Sequence, residues 1–181
     1  MIITRNYIND IDKGRVITMA QRQLTKVSNI QDILMKHGSD IIASEGMQTE
    51  KNLVHHRTTN VYMHSVGVAY LSVLLAQKFR LDINERELVR GALLHDYFLY
   101  DWHDPDPSHR LHGFSHAKTA LRNASKDFEL SEVEKDIIVK HMFPLNVKAP
   151  KYRESKIVCV ADKLCAICEM MSYKYMKQAK E

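Results

Sequence analysis

The first 104 residues of this chain contain no proline. All four prolines fall in two places, Pro105 with Pro107 and Pro144 with Pro150. Inside a helix proline removes an amide donor and clashes with the carbonyl one turn back. A chain that withholds it from its first half leaves helices free to run there. No segment alternates β-branched and polar residues with a period of two, as a half-buried strand would. No repeat, low-complexity tract or Gly/Ser linker divides the 181 residues. The expected fold class is all-α, a single compact helical bundle. Residues 1–51 are expected as an N-terminal helical segment packed on a core built from residues 52–181, one structural domain overall.

Periodicity places the helices. Val16, Ala20, Leu24 and Val27 mark a first one, and a second runs from about Gln31 toward Ile42, with Gly38 and Gly46 as interruptions. Val61, His64, Val68, Leu71 and Leu75 mark a strong helix. Asn84-x-x-Glu87 and Ser131-x-x-Glu134 have the spacing of capping boxes, in which cap and third residue satisfy each other's amides. The first opens a helix with Leu88, Ala92, His95 and Leu99 on one face, the second a helix with Val133, Ile137 and His141 in line. Between them Ala117, Ala120, Ala124 and Phe128 mark another helix. Ser155 is placed to cap a last one, with Ile157, Ala161, Leu164, Cys168 and Met171 on its apolar stripe.

Composition narrows the function classes. The longest apolar run, Val66 to Ala76, is too short to span a bilayer, so no membrane association is expected. The opening MIITRNYIND lacks a basic stretch followed by an apolar one, so a cytoplasmic location is expected. A net charge of +4 favours a small anionic ligand. Without a Lys/Arg stripe interleaved with aromatics, no nucleic acid is expected as partner. Three clustered cysteines, Cys159, Cys165 and Cys168, are no disulfide framework. Cys165-x-x-Cys168 is half a zinc motif without its second half, and small buried thiols are the favoured reading.

Against this background several polar residues sit on the wrong faces. His64, His95 and His141 share apolar stripes with Val, Leu and Ile. His116 begins the alanine-rich helix, Asp96 follows His95, and Asp162 adjoins Ala161. One such histidine alone is more often a hydrogen-bonded core residue than a ligand. Six such groups on five helices are another matter, because unpaired buried charge costs several kcal/mol. Divalent cations neutralise such groups directly, and His with Asp suits borderline transition metals. Six ligands exceed one tetrahedral site and suit two adjacent ions. Gly67 and Gly91, each one turn from one of these histidines, suggest that their two helices cross near the ligands.

The order His64, His95-Asp96, His116, His141, Asp162 resembles the H…HD…H…H…D signature of the HD-domain superfamily of α-helical metal-dependent phosphohydrolases. The resemblance covers residues 52–172 and includes HSVGVAYLSVLLA, RGALLHDYFLYDW, HGFSHAKTALRNA, IIVKHMFPL and SKIVCVADKLCAICE. Within the superfamily the chain is similar to small stand-alone bacterial members. The resemblance implies that His64, His95, Asp96 and Asp162 hold a first divalent metal, with the site between helices. Asp96 would bridge to a second ion held by His116 and His141. One or two ions are implied, of Fe, Mn, Zn, Ni, Co or Mg. Many relatives carry a lysine about three residues after the HD pair, where this chain has Leu99 and Tyr100.

The implied activity is hydrolysis of a phosphate ester, of a nucleotide or related small molecule, by a metal-bound hydroxide. His95 and Asp96 are the expected catalytic pair. No Ser or Cys nucleophile motif and no Gly-rich phosphate loop competes with this reading. Arg57, His56, His103, Arg110 and Lys163 are candidate substrate contacts. The alternative is a non-enzymatic HD-domain regulator that binds metal and nucleotide without turnover. The expected partner is a small phosphorylated substrate. Exposed residues in EMMSYKYM are a candidate homodimer surface, or would pack on the N-terminal helix.

Overall fold

The structure is a computed structural model that describes residues 19–56, 59–100 and 112–178, with side chains for 29–53, 59–100 and 115–171. It is all-α apart from one short ribbon. The elements run α1 Met19–Ile42, α2 Glu45–Thr49, a 3₁₀ turn Glu50–Asn52, β1 Val54–His56, β2 Thr59–Asn60, α3 Val61–Lys78, α4 Glu85–Leu94, α5 His112–Asp127, α6 Glu132–Lys140 and α7 Arg153–Gln178. The ribbon pairs β1 antiparallel to β2. Its two strands are too short to show a period in sequence. Among the described residues no helix is long and apolar enough to cross a membrane.

α3 and α4 form the centre of the bundle: α3 packs on α4 and α7, and α4 meets α1 and α6. The core joins Ile30, Leu34 and Ile41 of α1 to Val68 and Val73 of α3, Leu88 and Leu93 of α4, Ile137 of α6 and Val158 of α7. The two expected N-terminal helices are one, α1. Gly38 does not interrupt it, because a Cβ there would lie 2.3 Å from Leu93 Cδ1, so the missing side chain lets α4 approach. Gly91 likewise admits another helix, with Ile137 Cδ1 2.4 Å from where its Cβ would be, whereas Gly67 makes only ordinary contact with Cys165. α3 and α4 do pack on each other, as expected, but the glycine that admits a neighbour, Gly91, admits α6.

Three local details differ from the sequence reading. α4 stops at Leu94 instead of running on to Leu99. The Asn123 side chain donates to the carbonyls of Tyr97 (3.3 Å) and Phe98 (2.9 Å), and Leu99 takes a left-handed φ of 58°, which turns the chain away. At Asn84 only half a capping box forms: its side chain accepts from Glu87 N, but its own amide donates to Glu154 Oε1. The box at Ser131 and Glu134 is complete. α7 begins at Arg153, before Ser155, and its inner face follows Val158, Ala161, Asp162 and Cys165. Leu164, Cys168 and Met171 of the expected stripe are exposed, so Cys159 is the one fully buried thiol.

Candidate metal centre

The six residues singled out by sequence converge in space. His64 lies on the first turn of α3, whose start is fixed by Asn60 accepting from Met63 N at 2.8 Å. His95 and His141 occupy the C-caps of α4 and α6. Asp96 follows His95, His116 comes from α5, and Asp162 from α7. All six are buried. Two helix C-termini thus point at one place, and their partial negative charge favours a cation there.

Each cap histidine is oriented by its own helix. His95 Nδ1 donates to Ala92 O at 2.7 Å, and His141 Nδ1 donates to Ile138 O at 2.8 Å. Both rings therefore present Nε2 as a lone pair to the interior. Burial, with the charges of His141 and His64, pulls His95 down to a pKa of about 4 against Asp96 and Asp162. It is a neutral imidazole at pH 7. Its wholly buried Nε2 has no hydrogen-bond partner.

Asp96 faces two ways. Its Oδ1 lies 3.3 Å from His116 Nε2 and 3.4 Å from His141 Nε2, while Oδ2 lies 3.6 Å from His95 Nε2. His116 Nε2 and His141 Nε2 are 2.9 Å apart. On the other side, Asp162 Oδ1 is 3.2 Å from His64 Nε2 and 3.9 Å from His95 Nε2. An ion about 2.1 Å from each donor spaces neighbouring donors by about 3.0 Å at right angles and about 3.4 Å at tetrahedral angles. The His116, His141 and Asp96 distances fall in or close to that window. The His64 and His95 side is slightly wider, and both groups could hold a metal ion. The donor set fits the cofactor: four imidazoles and two carboxylates, all buried.

Glu169, not foreseen from the sequence, belongs to the cluster. It accepts from His64 Nδ1 at 3.0 Å. It stands seven residues, two turns, beyond Asp162 on the inner face of α7, and that spacing is the signal that could have found it. Burial would lower the pKa of His64, but hydrogen bonds to Asp162 and Glu169 and the charge of Asp96 raise it to about 10. Burial would raise Asp162, yet the His64 hydrogen bond with His95 and His141 nearby hold it at about 2. Without an ion, a proton on His64 thus stands between two carboxylates.

The remaining candidates divide. Lys163 Nζ donates to His141 O at 2.9 Å and Cys159 O at 3.1 Å, tying the end of α6 to α7. Arg57, His103 and Arg110 lie outside the described residues, as does the side chain of His56. Tyr100 packs beside Phe98, centroids 5.0 Å apart, and Phe98 packs edge-on to His116. Burial pushes the Tyr100 hydroxyl up, against a hydrogen bond with Ser115, so it stays a neutral donor at pH 7.

The family profile of the HD domain matches residues 61–167, from the start of α3 to well within α7. A search of curated proteins found no match, and neither did a search of solved structures.

Proposed function

Because the chain belongs to the HD-domain family, whose members are generally metal-dependent phosphohydrolases, we propose that it hydrolyses a phosphate ester of a nucleotide or related small molecule. The observation that carries the reading is Asp96, buried with one oxygen toward His116 and His141 and the other toward His95. A carboxylate so placed joins two ligand sets. His64, His95, Asp96 and Asp162 would hold one divalent ion, and Asp96, His116 and His141 a second. A divalent ion supplies an activated water and balances charge on phosphoryl oxygens. Four imidazoles favour a borderline transition metal over Mg, which prefers oxygen donors.

The chain's own part is orientation. The carbonyls of Ala92 and Ile138 fix the tautomers of His95 and His141, and Glu169 makes His64 a stronger donor, as carboxylate partners do at metal sites. Lys163 keeps the His141 segment in place. Tyr100, in the stretch where relatives carry a lysine, offers a neutral hydroxyl to a phosphate oxygen.

The test pairs elemental analysis with a broad nucleotide-phosphate screen on one preparation. Stoichiometric transition metal is expected, together with hydrolysis that disappears in His95→Ala and Asp96→Ala. Unchanged hydrolysis in both variants would sink the reading, and metal with a nucleotide-induced thermal shift but no turnover would favour a regulator instead.

A further inference from the structure

Glu50 is as deeply buried as any residue of the site, at 0% exposure, yet neither of its carboxylate oxygens has a hydrogen-bond partner. It lies in the 3₁₀ turn before the ribbon, and that turn packs on α3, the helix that carries His64. Burial, then the charge of Asp96, holds its carboxyl well above the usual range, and His64 acts the other way. A buried carboxyl with no donor is costly to the fold. Native folds keep very few such groups, and those they keep cluster where something outside the chain completes them. Glu134, equally buried, shows what this chain does with a structural carboxylate: Ser131 N donates to Oε2, and Arg86 reaches Oε1. Glu50 has no counterpart to either.

Its oxygens are also not among the donor atoms that lie within 4.8 Å of one another in the two groups able to hold an ion. Glu50 thus stands outside both close-set groups. We propose that Glu50 is a positioning residue of the metal centre, accepting a hydrogen bond from a water on the His64–His95 side and fixing that water's orientation. The proposal rests on the metal-centre reading above. No bond is made or broken at Glu50. Its burial keeps competing waters away, and its unpaired oxygens leave the bound water as their donor.

The experiment titrates chelated protein with zinc by calorimetry, comparing wild type with Glu50→Gln, Glu50→Ala and His95→Ala. Partners that act on a metal through one intervening group are typically worth about 10–100-fold in affinity or activity. Glu50→Gln and Glu50→Ala should weaken zinc binding on the His64–His95 side by that order and leave the His116–His141 side unchanged. Where a phosphate ester is turned over, kcat should fall with KM unchanged. The metal-free melting temperature should stay equal or rise, because an unpaired buried acid has been removed. Wild-type zinc affinity in both variants would overturn the proposal, and so would a lower metal-free melting temperature in both, since Glu50 would then be a structural prop. If wild type binds zinc and His95→Ala does not, while Glu50→Gln matches wild type, only Glu50 is wrong. If wild type and His95→Ala both fail to bind zinc, the metal-centre reading itself falls.

Discussion

Two clusters of charge, each around a buried carboxylate, flank α4, and they are built on opposite plans. On the side of α1 and α6, Arg90 donates to both oxygens of Asp40 at 2.8 and 2.7 Å, and its Nε lies 3.4 Å from Glu134 Oε1. Glu134 closes its other oxygen on the Ser131 amide at 2.9 Å. Every carboxylate there meets a cation or an amide from the chain. At the C-terminal end of the same helix, Asp96 and Asp162 meet the ring nitrogens of histidines, and His95 Nε2 meets no hydrogen-bond partner. Burial alone does not separate structure from function, since Glu134 and Arg90 are as buried as Asp96. What separates them is the partner: a guanidinium and a backbone amide on one side, and on the other histidine rings grouped closely enough that they could hold an ion.

The comparison breaks most visibly at Asp96. Asp96→Asn should lower phosphate-ester hydrolysis by about a thousandfold or more, which is about 4 kcal/mol of transition-state stabilisation. The same variant, stripped of metal, should melt no lower than wild type, because a charge held for an ion is a burden without one. Steady-state rates and metal-free melting curves on one preparation check both halves. A large loss of metal-free stability would place Asp96 with the structural cluster.

The reverse pattern is expected at Arg90. Arg90→Ala takes the guanidinium from exposed Asp40 and from buried Glu134, and breaking a buried pair such as Arg90–Glu134 from one side costs about 3–5 kcal/mol. Urea unfolding should show that loss, while the folded fraction keeps its specific activity. An Arg90→Ala protein with wild-type stability and reduced turnover would erase the distinction.

How much of this was legible in the sequence depended on the kind of signal. The six convergent residues stood out because each lies on or beside an apolar stripe, which is a local pattern. The end of α4 was not legible. Leu88, Ala92, His95 and Leu99 keep helical spacing, and what stops the helix is Asn123, some 25 residues on, reaching the carbonyls of Tyr97 and Phe98. Glu169 was hidden by choosing the wrong stripe of α7. That helix carries apolar residues on several faces, and only packing decides that Ala161 and Cys165 point inward while Leu164 and Met171 stay exposed. Glu50 gave no signal, since a three-residue turn has no period to violate. Gly38 was read as a break because glycine's helix penalty is local, whereas the close approach of Leu93 that repays it is not.

A smaller effect sharpens how the two clusters are held apart. A Cβ on Gly46 would fall 1.7 Å from Tyr97 Oη, which donates to Asp127 Oδ2 at 2.9 Å. Gly46→Ala must displace the ring, and overpacking of this kind costs about 1–3 kcal/mol. Tyr97 adjoins Asp96, so the displacement should also loosen the metal centre. Lower stability in urea together with weaker metal binding is the expected result, and a stability loss with unchanged metal binding would show that the centre is insulated from its neighbour.

The smallest effect lies in the pH dependence of a third carboxylate, also on α6. Asp136 is paired with Lys140 and accepts from Lys151 N at 2.9 Å. Burial would raise its pKa, but these hydrogen bonds and the Lys140 charge hold it below the ordinary aspartate value of 3.8. A depressed pKa means that the unfolded chain takes up the proton first as pH falls. The stabilisation is therefore complete above about pH 4 and is lost as pH falls through the folded-state value. Asp136→Asn removes it at every pH, at a cost near neutrality of about 1 kcal/mol or less, as befits a pair at the edge of the bundle. Unfolding free energies of wild type and variant should differ near pH 7 and converge on acidification. If the gap instead widened toward acid, Asp136 would behave like a carboxyl whose neutral form is favoured, and pairing by the chain would no longer mark the structural side of the comparison.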